Sequence, residues 1–255
     1  MHCNVILLII SFLCISCHGQ NDSTQPQLSP IPDSIEISVV SAIPIPQNFH
    51  RIQTDSNSFG NWLQHLHLRK NTTVFLFNGL QKPNQSAQYA VIDIPIGTKN
   101  LMQCADVIMK LRAQYLFEKQ LFSKIEFFDN NGKAYQFGSP FTQTHLDQFL
   151  EIVFGACGTA SLSKQLHYKN IQEALPGDVL IRGGFPGHAV LIIDKAINEK
   201  GDAIYLLLQG YMPAQDMHIL KNPNNLSLSP WYQFKTTHSI YTPEYVFKTN
   251  ELKTW

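Results

Sequence analysis

Three aliphatic runs in the second half of the chain, "GDVLIRGG" (177 to 184), "HAVLIID" (188 to 194) and "AIYLLLQGYM" (203 to 212), narrow the possible folds more than any other feature. Each is too short for a buried helix, and Gly, Pro, Asn or Asp bounds each one, so they read as strands. The turn residues "NEKGD" (198 to 202) fold the last two into an antiparallel hairpin. Strands this apolar on both faces need cover, which helical segments upstream supply. In "NLMQCADVIMKLRAQYLFEKQ" (100 to 120), Leu101, Cys104, Ile108, Leu111 and Tyr115 recur at helical spacing, with Asn100 as the expected cap. "THLDQFLEIVFGACGTASLSKQL" (144 to 166) reads as one helix containing small residues. Strands are expected at 72 to 79 and 87 to 97, and Asn131-Gly132 marks a hairpin within 125 to 137. Helices first and a meander later make the class α+β.

Nineteen basic residues balance nineteen acidic ones, so no long-range field draws the chain to nucleic acid, which is excluded as a partner. The apolar segment Val5 to Ile15 has the length of a signal-peptide core and is too short to span a bilayer. Residues 1–16 are therefore expected to be a signal peptide. Ser16-Cys17 resembles a lipobox, which makes Cys17 the expected lipid attachment site and places the protein in a cell envelope, tied to a membrane. The Gln, Asn, Ser and Pro of the next stretch read as a flexible tether over 17–42, followed by a single domain over 43–255. Only Cys104 and Cys157 then remain in the domain, too few for a disulfide framework.

A cysteine in a first helical turn lies where free backbone N–H groups favour an anion, an arrangement expected to lower the thiol pKa. Its partner in thiol chemistry is an imidazole on a rigid element. His188 fits, since it opens a strand directly after a Gly-Phe-Pro-Gly turn that would let substrate backbone approach. With the hairpin centred near residue 199, Gln209 falls within about two residues of the position opposite His188 and can orient the ring. Asp194 and His218 are the alternatives for that third role, and Asp194 also reads as the solvated end of its strand. Cys157, within "GACGTAS", reads as a helix-packing residue, although a Cys104–Cys157 disulfide would consume the nucleophile. His65, His67, His188 and His218 come with no HExxH and no paired CxxC, and no G-x-S-x-G elbow appears, so no metal, cofactor or serine nucleophile is called for. "GYMPAQ" (210 to 215) and "SPWY" (229 to 232) read equally as groove walls or as a packed lid.

A cysteine helix followed by a histidine and a polar residue on successive antiparallel strands resembles the core of papain-like NlpC-type and CHAP cell-wall peptidases. The likeness rests on "QCADVIMKLRAQYLF" and "PGDVLIRGGFPGHAVLIID". A broader set of segments, "FGNWLQHLHL", "QYAVIDI", "QCADVIMKLRAQYL", "GTASLSKQL", "PGDVLIRGGFPGHAV" and "LLLQGYMPAQDMHILKNPNNLSLSPWY", is similar to a family of bacterial, often lipid-anchored, proteins known as domain of unknown function 4846. Cys104 and His188 match that family's pattern, whereas Cys157 stands where a small residue is usual. The resemblances imply a papain-like α+β fold and acyl transfer through Cys104, His188 and Gln209 on a peptide or peptidoglycan-like substrate. The competing expectation is a lipid-anchored binding protein that presents the same cleft to a glycan, peptide or envelope partner without turnover.

Overall fold

The structure, a computed structural model, describes residues 37–235 and 239–255. The expected signal segment, Cys17 and most of the expected tether lie outside the described residues. The folded unit begins ahead of Ile43: Val39 bridges His67 and the Val40 side chain is fully buried, because this apolar pair can cover the core.

Among the described residues twelve strands follow in chain order: β1 (Phe49–Arg51), β2 (Gln88–Val91), β3 (Glu126–Phe128), β4 (Ala134–Gln136), β5 (His167–Tyr168), β6 (Val179–Arg182), β7 (His188–Asn198), β8 (Ala203–Gln209), β9 (His218–Leu220), β10 (Ile240–Tyr241), β11 (Val246–Phe247) and β12 (Leu252–Thr254). The helices are α1 (Phe59–Gln64), α2 (Cys104–Glu118), α3 (Gln143–Ala156) and α4 (Thr159–Gln165). The main sheet runs β2-β9-β8-β7-β6-β12-β5, with β1 added to the far end of β7, and its strand pairs are antiparallel. The β7–β8 hairpin forms across Asn198–Asp202 as the turn residues dictate. A bulge between Ile192 and Asp194 gives β7 one extra residue.

Strand alternation sorts the aliphatic runs into two cores. Ala189, Leu191 and Ile193 of β7 and Ile204, Leu206 and Leu208 of β8 pack with Val107, Ile108 and Leu111 of α2. Val190, Ile192, Tyr205 and Leu207 pack in the other core with Leu220, Tyr232 and Phe247. Helix α2 is buried around most of its circumference, and this explains its run of apolar residues without a wide polar face. It ends in a Schellman turn: Leu121 N–H reaches Leu116 O at 2.8 Å, Gln120 N–H reaches Phe117 O at 2.9 Å, and Gln120 takes the left-handed position at φ 56°.

Three local expectations are corrected. The cap of α2 is Gln103, not Asn100; Asn100 instead accepts from Ala214 N–H at 2.8 Å. The helix expected over 144 to 166 is two helices, broken where Cys157 and Gly158 adopt extended backbone, and Ser161 Oγ accepts from Gly158 N–H at 3.1 Å to cap the second. Residues 72 to 79 make only single bridges at Phe75 and Leu76, since Leu76 O accepts from Gly79 N–H and turns the chain back before a strand can pair.

Candidate active site

The turn Gly183–Gly187 delivers His188 to the start of β7, where it pairs with Arg182 of β6. The glycines there serve packing. A Cβ on Gly187 would lie 2.3 Å from Thr159 Oγ1 and 2.6 Å from Arg182 O, and one on Gly183 would lie 2.8 Å from Ser163 Cβ. At Gly187 the space expected to admit substrate is taken up by Thr159 of α4, whereas the turn Gly184–Gly187 as a whole lines a cleft. On the next strand, a Cβ on Gly210 would meet Val107 Cγ2 at 2.5 Å and Gln103 O at 2.9 Å, so Gly210 lets the first turn of α2 rest on the end of β8.

His188 is 3% exposed, and its ring sits among Tyr211, Tyr245 and Phe247 with centroids 4.9, 4.9 and 5.8 Å away. His188 Nε2 lies 3.0 Å from Gln209 Oε1. By the strand register Gln209 is two residues from the position opposite His188, a diagonal that a long amide spans. The rest of the network fixes the protons. The Asp216 carbonyl, 2.8 Å from His218 Nδ1, can only accept, so His218 Nδ1 donates and Nε2 offers a lone pair to Gln209 Nε2 at 3.2 Å. Glu244 Oε2 takes the other amide hydrogen at 2.7 Å. Gln209 Oε1 therefore faces His188, whose Nε2 donates, and Nδ1 of the neutral ring is left as the basic nitrogen.

Glu244 is the hub behind this amide. It also accepts from Lys82 Nζ at 2.7 Å and Asn84 Nδ2 at 3.1 Å. Burial would raise its carboxyl, but the Lys82 ammonium outweighs that and holds it below its ordinary value. Burial pushes His188 down to about 4, against the opposing pull of Gln209 and Glu244, so the ring is neutral across the physiological range. His218 is fully buried and is likewise pushed down to about 4 by burial.

Cys104 is the first residue of α2 and is 7% exposed. Its sulfur lies within reach of the backbone N–H groups of Ala189, the residue after His188, and of Ala105. Among the described residues no hydrogen bond joins the thiol to the imidazole. The expectation of a lowered thiol pKa is overturned: burial first, and the Asp106 charge second, push it up to about 11. The helix end already has its anion. Asp106 Oδ2 accepts from Gln103 N–H at 2.9 Å in a capping box, which occupies the electropositive position that a thiolate would have used.

Cys104 opens onto a cleft of about 450 Å³ whose walls include Asp106, Phe154, Cys157, Thr159, Phe185 and Met212. Cys157 is a free thiol there, pushed up to about 11 by burial and by the Asp129 and Asp106 charges. Of the two late aromatic segments, "GYMPAQ" gives Met212 to the cleft, while "SPWY" is a packed lid with Trp231 buried and its Nε1 donating to Pro44 O at 2.8 Å. Asp194 is not a solvated strand end: it is fully buried, 2.7 Å from Arg51 Nε and 2.6 Å from Gln64 Nε2, remote from His188 in the hydrogen-bond network. His218 touches Gln209 rather than His188. His65 and His67 line a separate surface cavity with Asp93 and Glu118.

Asp106, Lys82 and Glu244 were not anticipated from sequence. Gln103-Cys-Ala-Asp106 carries the cap-x-x-acid spacing of a capping box, a signal that could have found the first. Nothing in "TPEYVF" or "LQKPNQ" marks the other two, which meet only through the fold.

Neither the curated proteins nor the solved structures contain a match to this chain. One family model matches in two segments, residues 39–144 and 138–254, and so spans nearly all of the described structure. The chain belongs to the family described as Domain of unknown function (4846).

Proposed function

We propose that this domain is a cysteine hydrolase of papain-like architecture that carries out acyl transfer in a cell envelope, with a peptidoglycan stem peptide as the first substrate to test. The observation that carries the reading is the fixed tautomer at His188. A ring held by Gln209 through Nε2–H keeps a lone pair on Nδ1, on the strand whose next backbone N–H meets the Cys104 thiol. A cysteine helix laid on antiparallel strands supports the architecture.

With the thiol held up and the imidazole held down, the resting pair is neutral. Attack and proton transfer then go together: as Cys104 Sγ bonds to the carbonyl carbon, its proton passes to His188 Nδ1 and the carbonyl oxygen takes the negative charge. The Cys104 backbone N–H helps to hold that oxyanion. The imidazolium returns the proton to the leaving amine as the C–N bond breaks, and water hydrolyses the thioester by the same route in reverse. Gln209 and Glu244 hold the imidazolium while it exists.

The test is acylation by a p-nitrophenyl ester, read as released nitrophenolate and as added mass on the Cys104 peptide, followed by a screen on stem peptides. Loss of acylation in Cys104→Ala and His188→Ala, with Cys157→Ala unaffected, supports the hydrolase. Acylation that persists in Cys104→Ala refutes it. The burial of both groups favours a second reading, a binding domain whose cleft holds an envelope peptide without turnover; peptide binding without any acylation of Cys104 would select it.

A further inference from the structure

The capping box accounts for one oxygen of Asp106 and leaves the other without a partner. Asp106 is 6% exposed, Oδ2 accepts from Gln103 N–H, and Oδ1 is buried with no hydrogen bond. A helix cap needs only the first of these. An unpartnered carboxylate oxygen in the interior is a standing cost that natural sequences rarely keep without a use.

The surroundings indicate the use. Asp106 forms part of the wall of the cleft that Cys104 opens onto, and among the described residues it is the only charged side chain lining that cleft. Its other lining residues are apolar or uncharged, including Leu101, Phe154, Phe185 and Met212. The titratable groups that face it are the thiols of Cys104, on its own helix, and Cys157, beyond the end of α3; both have Asp106 among the charges that hold them up. The site therefore holds a carboxyl without a counter-cation in apolar walls, which repels carboxylate and phosphate and attracts a positively charged donor. Oδ1 is buried, so a donor that pairs with it has to be compact: an ammonium is a point charge, whereas a guanidinium is a wide planar fork.

We propose that Asp106 Oδ1 is the recognition point for a primary ammonium group of the substrate, so that the cleft selects amine-bearing peptides. The inference deepens the hydrolase reading and rests on it for the word substrate. Burial, opposed by the Gln103 and Asp106 N–H groups, pushes the Asp106 carboxyl up to about 7, and an arriving ammonium supplies a counter-charge that draws it back down. The same pairing cancels one of the two causes that hold the Cys104 thiol up.

The experiment uses full-domain protein carrying Cys104→Ala, so that turnover plays no part, titrated calorimetrically with alanyl-glutamyl-lysine in two forms: amines free and amines acetylated. The free form is expected to bind at least about tenfold more tightly, and Asp106→Asn in the same background to erase that ratio while leaving the acetylated form unchanged. Asn keeps an acceptor for Gln103 N–H, so the variant retains its cap. Equal binding of the two forms, no binding of either, or a preference that survives Asp106→Asn overturns the proposal. Ester acylation of Cys104 in the otherwise wild-type protein reads the thiol chemistry separately. Failure of acylation with the amine preference intact removes the hydrolase and keeps the ammonium site; the converse keeps the hydrolase and removes the site.

Discussion

Replacing Asp106 with Asn should make Cys104 more reactive, and the structure bounds by how much. The thiol is held at about 11 instead of 9.0, with burial the larger cause and the Asp106 charge the next. The substitution removes the charge and leaves the burial, so the thiol should settle between those two values. Each pH unit of that fall multiplies the thiolate fraction about tenfold at fixed pH, so the gain in alkylation rate is below about a hundredfold, and about three- to thirtyfold is expected at pH near 8. The pH dependence is the sharper test. Asp106 itself loses its proton around 7, so in the wild type its charge acts on the thiol only above that point. The variant-to-wild-type ratio should therefore approach one below about pH 6 and rise to a plateau above about pH 8. The assay is the rate of iodoacetamide alkylation on the Cys104 peptide, resolved from Cys157 by mass spectrometry. A flat ratio across that range, or slower alkylation in the variant, would refute the account of what holds the thiol up.

Stability should show the same carboxyl from the other side. Its folded pKa, about 7, lies above the ordinary 3.8, so the folded state is penalised progressively as pH rises from about 4 to about 7. Asp106→Asn should be more stable than the wild type by about 2–4 kcal/mol near pH 8, with the gap closing near pH 4, as read by urea unfolding. Glu244→Gln leaves the buried Lys82 ammonium without its counter-charge and should cost about 3 kcal/mol, whereas the double variant Lys82→Met/Glu244→Gln should recover much of the loss; equal costs for the single and double variants would remove the pair from the account. Gln209→Ala frees His188 Nε2 and should slow ester acylation by about a hundredfold, and the buried groups it leaves unpaired should cost about 1–3 kcal/mol in urea unfolding. Gly187→Ala forces a carbon into Thr159 and Arg182 O and should destabilise the domain by about 1–3 kcal/mol; a neutral outcome in thermal unfolding would show that the turn yields.

The sheet and the central helix were legible because their residues obey one periodicity over a long enough stretch. The β7–β8 hairpin followed from its aliphatic runs and turn, and with it the closeness of Gln209 to His188. The break at Cys157 and Gly158 was not legible, because the apolar spacing continues smoothly across it and only the backbone changes direction. At 72 to 79 β-rich composition misled, since composition carries no information about whether a partner strand lies alongside. Thiol ionisation failed for a related reason. A helix N-terminus is visible in sequence, but the depth of burial and the rival anion two residues on are properties of the packed molecule. Glu244 and Lys82 are 162 residues apart, and their meeting depends on topology alone.

The place of β12 in the sheet has a consequence for biosynthesis. Residues 252–254 lie between β6 and β5, and β2 finds its partner only at residues 218–220. Neither edge of the sheet can close while the polypeptide is partly made, so assembly waits on contacts of very long sequence separation and should be slow for a domain of this size. A nascent chain stopped short of residue 252 would carry the thiol, the imidazole and the amide, yet leave the strand that bears His188 beside an unfinished neighbour.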